Sequence, residues 1–148
     1  MPETHTSAGI IPLDGQSNPN YLLLKYPQGH WGFPKGHLED DDASLWDGAV
    51  RELKEETNLE LQQRFEEFRS VLDYWFTQDN RRHHKTVYFF AGTVSNREVT
   101  LSHEHTDYCW MNADQTLEKI TYDNEKNLFR DWLNYYQKRN TDRSQTND

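Results

Sequence analysis

The order of the apolar runs narrows the fold more than any other feature of this chain. AGIIPL, NYLLLK, FRSVLDYWFT and KTVYFFAGTV are short, rich in branched and aromatic residues, and read as strands. DGQSNPN, with its Gly, Asn and Pro turn residues, makes a hairpin of the first two, and the polar QDNRRHH joins the last two. YCWMN reads as a shorter strand and WGFPKGH as loop. Only two stretches keep a helical period: residues 43–57, through Leu45, Ala49, Val50 and Leu53, and residues 122–138, through Leu128, Phe129, Trp132, Leu133 and Tyr136. Asp41 or Asp42 is placed to cap the first helix, and Asn58 falls where a helix ends in a left-handed residue. Many strands with two principal helices predict an α+β domain, a mixed sheet covered by helices.

A chain of 148 residues is long enough for one domain with its own core. We expect that domain over residues 8–139, with a flexible start at 1–7 and a disordered polar tail at 140–148. The 14% aromatic content supplies the core, while a mean hydropathy of -1.09 and a net charge of -9 describe a very polar surface. Cys109 is the single cysteine, which excludes an internal disulfide and leaves it the role of a small apolar residue. No basic segment followed by an apolar run opens the chain and no stretch reaches membrane-spanning length, so a cytoplasmic protein without membrane contact is expected. The acidic balance argues against duplex nucleic acid as the main partner. Oligomeric state is not legible.

Acidic density peaks around the first helix. Asp and Glu favour helix starts, and a Glu-rich helix face is ordinarily solvated surface. Here Glu52, Glu55 and Glu56 lie three and four residues apart, so one helix face directs three carboxylates toward one point. Such a cluster is unfavourable without a cation, and an all-oxygen set suits Mg²⁺ or Mn²⁺, which in turn hold phosphate oxygens. Arg51, four residues before Glu55, can orient it. Upstream, GFPKGH combines two glycines, a proline and a lysine in a segment where backbone groups can approach a metal or a phosphate.

The run from Gly36 through RELKEETNL resembles the signature of the Nudix hydrolases: Gly, five residues, Glu, seven residues, then Arg-Glu-apolar-any-Glu-Glu-any-Gly-apolar. Arg51, Glu52, Leu53, Glu55, Glu56 and Leu59 match it. The resemblance implies a mixed sheet sandwiched between helices and metal-assisted hydrolysis of a nucleoside diphosphate derivative. Three positions depart from the pattern. One extra residue lies between Gly36 and Arg51, Asp41 or Asp42 stands nearest the place of the isolated Glu, and Asn58 replaces the final Gly. The isolated Glu supports the family's loop through an ion pair, so its replacement bears on loop geometry more than on chemistry.

WGFPKGHLE, KTVYFFAGTV and LSHEHTDYCWM further resemble, in the same order, segments of the asymmetric diadenosine tetraphosphate hydrolases. This implies Mg²⁺-dependent cleavage of a dinucleoside polyphosphate to ATP and AMP. Gly36, through its carbonyl, and Glu52, Glu55, Glu56 and Glu104 would hold the ions, with Glu55 or Glu104 as the base. Lys35, His37 and Lys85 are candidate phosphate contacts, and Tyr74, Tyr88 and Tyr108 candidate ring faces for adenine. Each tyrosine also suits a core position, since only one face of a strand can turn to a cleft. His103 and His105 flank Glu104 and either orient it or lie exposed; His83 and His84 are expected in solvent, and Trp31 and Trp46 as packing anchors. The alternative substrates are an RNA 5′ end or a diphosphoinositol polyphosphate. A nucleotide-sensing module without catalysis is the remaining alternative, and the retained carboxylates weigh against it.

Overall fold

The computed structural model describes residues 3–146. Its centre is a parallel pair, β1 (Glu3–Leu13) beside β7 (Arg81–Val94), in register from Glu3↔His83 to Leu13↔Thr93. Adjacent residues of these strands go to opposite faces: Ile10 and Phe90 to one core, Ile11 and Phe89 to the other. A strand buried on both faces needs an unbroken apolar run, which is why AGII and YFFA show no polar alternation. On one flank β2 (Tyr21–Lys25) meets β1 at Leu13↔Tyr21 and carries β3 (Trp31–Gly32) and β8 (Asp107–Met111). β4 (Lys35–His37) pairs antiparallel with β1, while β5 (Leu61–Arg64) and β6 (Ser70–Gln78) pair antiparallel with β7. The β1–β4 crossing requires Gly9, where a Cβ would stand 2.6 Å from the Pro34 carbonyl oxygen.

Helix α1 (Leu45–Thr57) covers one face through Ala49 and Leu53. On the other, α2 (Ala113–Lys119) and α3 (Asp123–Thr146) lie over Tyr21, Leu23 and Phe89, with Leu128, Phe129 and Trp132 turned inward. The buried Trp132 indole donates to the Tyr21 hydroxyl at 2.9 Å, so this aromatic core leaves neither group unpaired. Helices on both faces of a mixed sheet are the α+β layering expected from the order of the runs.

Several local readings need correction. Ser44, not Asp41 or Asp42, caps α1: its Oγ accepts from Asp47 N at 3.0 Å, because the Asp42 carboxylate is engaged elsewhere. Asn58 does end the helix in the left-handed region, at φ 62°. WGFPKGH is not wholly loop, since β3 and β4 recruit its ends into the sheet. QDNRRHH is mostly strand. Asp79 and Asn80 turn tightly at positive φ, and Arg81–His84 continue the ladder against Phe76–Gln78 and Trp75. β5 and α2 are too short and polar to stand out from sequence. Of the ends expected to fray, residues 1–2 and 147–148 lie outside the described residues, while Glu3–Ser7 pair with β7 and Asn140–Thr146 continue α3.

Candidate active site

Arg51 organises the acidic face of α1. Its guanidinium grips Asp42 with two hydrogen bonds, Nε to Oδ1 at 2.8 Å and Nη2 to Oδ2 at 2.9 Å. Nη1 donates to Glu52 at 3.0 Å and to Glu55 at 3.1 Å, and Nη2 also reaches the His37 carbonyl at 3.0 Å. One side chain thereby joins the loop, β4 and two carboxylates. The same contacts hold the Asp42 carboxyl low, at about 2. Asp42, rather than Asp41, therefore occupies the loop-supporting position. A turn closed by Asp42 N to Glu39 O at 3.0 Å and Glu39 N to Asp42 Oδ2 at 2.8 Å holds Asp42 in place. Five residues separate it from Gly36, as in the family pattern, so the extra residue falls between Asp42 and Arg51.

Glu52 lies against Gly36, where any Cβ would overlap its carboxylate, so glycine alone lets the strand backbone come this close. Burial raises the Glu52 carboxyl. Glu56, one turn on, is only 3% exposed, and burial followed by the charge of Glu52 pushes its carboxyl up to about 9. Its Oε2 has no hydrogen-bond partner among the described residues, and neither has His105 Nε2, which stands 3.9 Å from Glu56 Oε1. The SHEH turn reaches α1 because Ser102 N donates to the Glu56 carbonyl at 3.1 Å and Thr106 N to the Lys25 carbonyl at 3.1 Å. Glu104 is thus carried to the rim facing Glu52 and Glu56.

These groups open onto one cleft of about 1120 Å³. Lys35, Gly36, His37, Glu52, Glu55, Glu56, Tyr74, Lys85 and Glu104 all line it, whereas Arg51 stands behind the carboxylates. Strand alternation decides which β6 and β7 residues enter: Leu72, Tyr74, Phe76 and Gln78 from β6, Lys85 and Val87 from β7. Tyr88 is consequently on the opposite face, packed toward the α1 core with Arg69 over its ring at 5.5 Å. Tyr108, on the β8 edge, is 39% exposed and lies away from the cleft. Neither is placed to contact a ligand there. Burial and the neighbouring Lys35 lower the Lys85 amine to about 8. Trp46 stacks on Phe90 and Trp31 packs against the α3-side core, as anchors. His83 is 7% exposed and His105 6%, so neither is a solvated residue.

Several lining residues were not singled out from sequence, among them Tyr26, His30, Tyr122 and Glu125. Tyr26 and His30 stack nearly parallel, 4.6 Å apart at 6°, and Tyr122 stands beside His30 at 5.1 Å. Tyr26–His30 form a tight turn with Gly29 at φ 100°, and a turn in sequence does not disclose that it stacks the rings at its ends. Glu125, in the first turn of α3, accepts from Phe33 N at 3.3 Å, and burial pushes its carboxyl up to about 7. A first-turn Glu carries no sequence mark of burial.

The donor set suits a hard divalent cation. Three carboxylates of α1 line one cleft, one buried oxygen is unpaired, and Glu52 packs against Gly36; α1 itself carries no thiol or imidazole, and the His105 imidazole stands 3.9 Å from Glu56. Lys35 and Lys85 put positive charge on the same cleft, so a polyanion can lie between cations of both kinds.

The NUDIX domain profile matches residues 3–133. The chain is 35% identical over 115 residues to the asymmetrical bis(5'-nucleosyl)-tetraphosphatase of Mus musculus, covering 74% of this chain and 75% of the relative. It is 32% identical to the Caenorhabditis elegans protein of the same description, over 74% of this chain and 80% of the relative. Among solved structures, a C. elegans Ap4A hydrolase binary complex superposes with a TM-score of 0.77 at 26% identity, covering 90% of this chain and 98% of that one.

Proposed function

This chain belongs to the Nudix hydrolases, and from that premise we propose that it cleaves diadenosine tetraphosphate asymmetrically, to ATP and AMP, with bound Mg²⁺ or, as a substitute, Mn²⁺. The observation that carries this reading is one cleft holding the α1 carboxylates, Lys35 and Lys85, and the exposed face of Tyr122 beside Tyr74. A tetraphosphate joining two adenosines needs all three: oxygen ligands for ions, positive charge for the chain and flat rings for a base. Relatives at 32–35% identity carry the name of that activity.

Glu52, Glu55, Glu56 and the Gly36 carbonyl would hold the ions, with Glu104 as a further ligand or as base. Bound there, the cation neutralises the phosphate chain and stabilises the charge that develops in phosphoryl transfer. Arg51 fixes Glu52 and Glu55 and keeps β4 against α1. Glu104 has no ion pair among the described residues, whereas the Glu55 carboxylate is held by Arg51, so Glu104 is the freer acceptor for a proton from water. Lys35, His37 and Lys85 position the phosphates. Water oxygen bonds to one phosphorus, the bridging P–O bond breaks, and the two unequal nucleotides leave.

Ion-exchange product analysis tests this directly. Equal ATP and AMP from the tetraphosphate, abolished by a chelator, is the expected result; cleavage only of a 5′-triphosphorylated RNA in parallel would reject the substrate. Running Glu55→Gln and Glu104→Gln in the same assay assigns the base, the deeper loss being expected for Glu104→Gln.

A pH dependence follows from Lys85. With its amine near 8, the side chain is charged below that pH and neutral above it, so affinity for a polyanion should fall as pH rises through about 8. At saturating Mg²⁺, kcat/KM is expected to decline above that point, and Lys85→Arg to move the decline upward. An unchanged profile in Lys85→Arg would remove Lys85 from phosphate binding.

A further inference from the structure

We propose that Glu3, His5 and His83 form a binding site for a borderline-soft divalent ion such as Zn²⁺, separate from the carboxylates of α1. Residues two apart on a strand share a face, so Glu3 and His5 project together from β1. The parallel register sets His83 of β7 opposite Glu3. As a result one donor atom from each side chain lies within 4.8 Å of the other two. His5 Nε2 is 2.9 Å from His83 Nδ1, and Glu3 Oε2 is 3.4 Å from His83 Nδ1.

The surroundings select the right atoms. His83 is 93% buried, from its 7% exposure, and its Nε2 faces the Gln78 carbonyl at 3.3 Å. That contact favours the tautomer with the proton on Nε2 and the Nδ1 lone pair free, the arrangement by which a backbone carbonyl orients a ligating histidine. Phe76 stacks on the same ring at 4.9 Å and fixes its plane. Arg81 occupies the other Glu3 oxygen, Oε1, at 3.2 Å, which leaves Oε2 toward the histidines. His5 then needs only to shift its proton from Nε2 to Nδ1, after which the imidazole–imidazole hydrogen bond gives way to two metal–nitrogen bonds. Two imidazoles and one carboxylate are a zinc donor set and a poor one for Mg²⁺. Three protein donors leave a coordination position open. Because His5 also lines the cleft between His37 and Phe76, the ion would sit at the outer end of the cleft and tie the start of β1 to β7.

Calorimetric titration of zinc sulfate into the full chain, with Mg²⁺ in large excess, tests the site. One Zn²⁺ should bind, at least about tenfold more weakly in His5→Ala and His83→Gln, and unchanged in the Glu52→Gln/Glu56→Gln double variant. Nitrogen NMR of the wild-type imidazoles gives a readout independent of any variant: the His5 Nε2 and His83 Nδ1 resonances should move on zinc addition. Absence of stoichiometric binding, or binding lost in the carboxylate variant with those two resonances unmoved, would overturn the proposal.

Discussion

Glu56→Gln is expected to lower turnover by roughly two orders of magnitude or more while raising the stability of the metal-free protein above neutral pH. The two effects have one cause. Without a cation, folding forces the Glu56 carboxyl from an ordinary 4.5 to about 9, through burial and the charge of Glu52. Between those values the folded protein retains a proton that the unfolded chain releases, so stability falls as pH rises from about 4.5 to about 9. One such proton is worth about 1.4 kcal/mol per pH unit, or roughly 3–6 °C in Tm for a domain of this size. Glutamine fills the same space without a charge and removes this slope. Glu125 contributes in the same direction only up to about pH 7, so the difference between wild type and variant isolates Glu56 above that. Thermal unfolding in a chelator at pH 5 and pH 8 is the measurement. The curves should coincide near pH 5 and separate at pH 8, with the variant higher; added Mg²⁺ should stabilise the wild type and not the variant. Parallel curves at both pH values would show that Glu56 is not a strained charge.

Sequence patterns disclosed the carboxylate face because α1 is amphipathic: the period that buries Ala49 and Leu53 also fixes where Glu52, Glu55 and Glu56 point. Tyr74 was legible for a similar reason, since period two on β6 turns it to the cleft. The same rule removes Tyr88, but the face a strand turns to a cleft depends on its neighbours, and a lone β7 does not announce that Val87 looks one way and Tyr88 the other. His83 looked solvated because HH in a polar run resembles a loop. Only the tight Asp79–Asn80 turn and the long β1–β7 register make it a strand residue with Phe76 stacked on it. Contacts made by chain segments far apart in sequence, such as Glu125 with Phe33, leave no local trace.

The loop before α1 supplies the other large effect. Arg51→Ala is expected to reduce kcat by about a hundredfold and to destabilise the fold by roughly 1–3 kcal/mol, because it leaves the largely buried Asp42 carboxylate without its main partner. Arg51→Lys should rescue little. A single ammonium cannot span Asp42, the His37 carbonyl, Glu52 and Glu55 at once, whereas the guanidinium fork meets all four. Counted from Gly36, Asp42 stands at the family pattern's glutamate position, the residue in excess of the pattern lies between Asp42 and Arg51, and the 39–42 turn holds the Asp42 carboxylate for the guanidinium. Asp42 therefore differs from its neighbours: Asp42→Ala should reproduce most of the Arg51→Ala loss, while Asp41→Ala, in the exposed corner of the turn, should leave turnover within about twofold. Steady-state kinetics of the four variants, with folding checked by circular dichroism, decides the matter. If Asp41→Ala were as damaging as Asp42→Ala, the ion pair would not be what holds the loop. If Arg51→Lys turned over normally, charge alone would suffice and the forked geometry would be incidental.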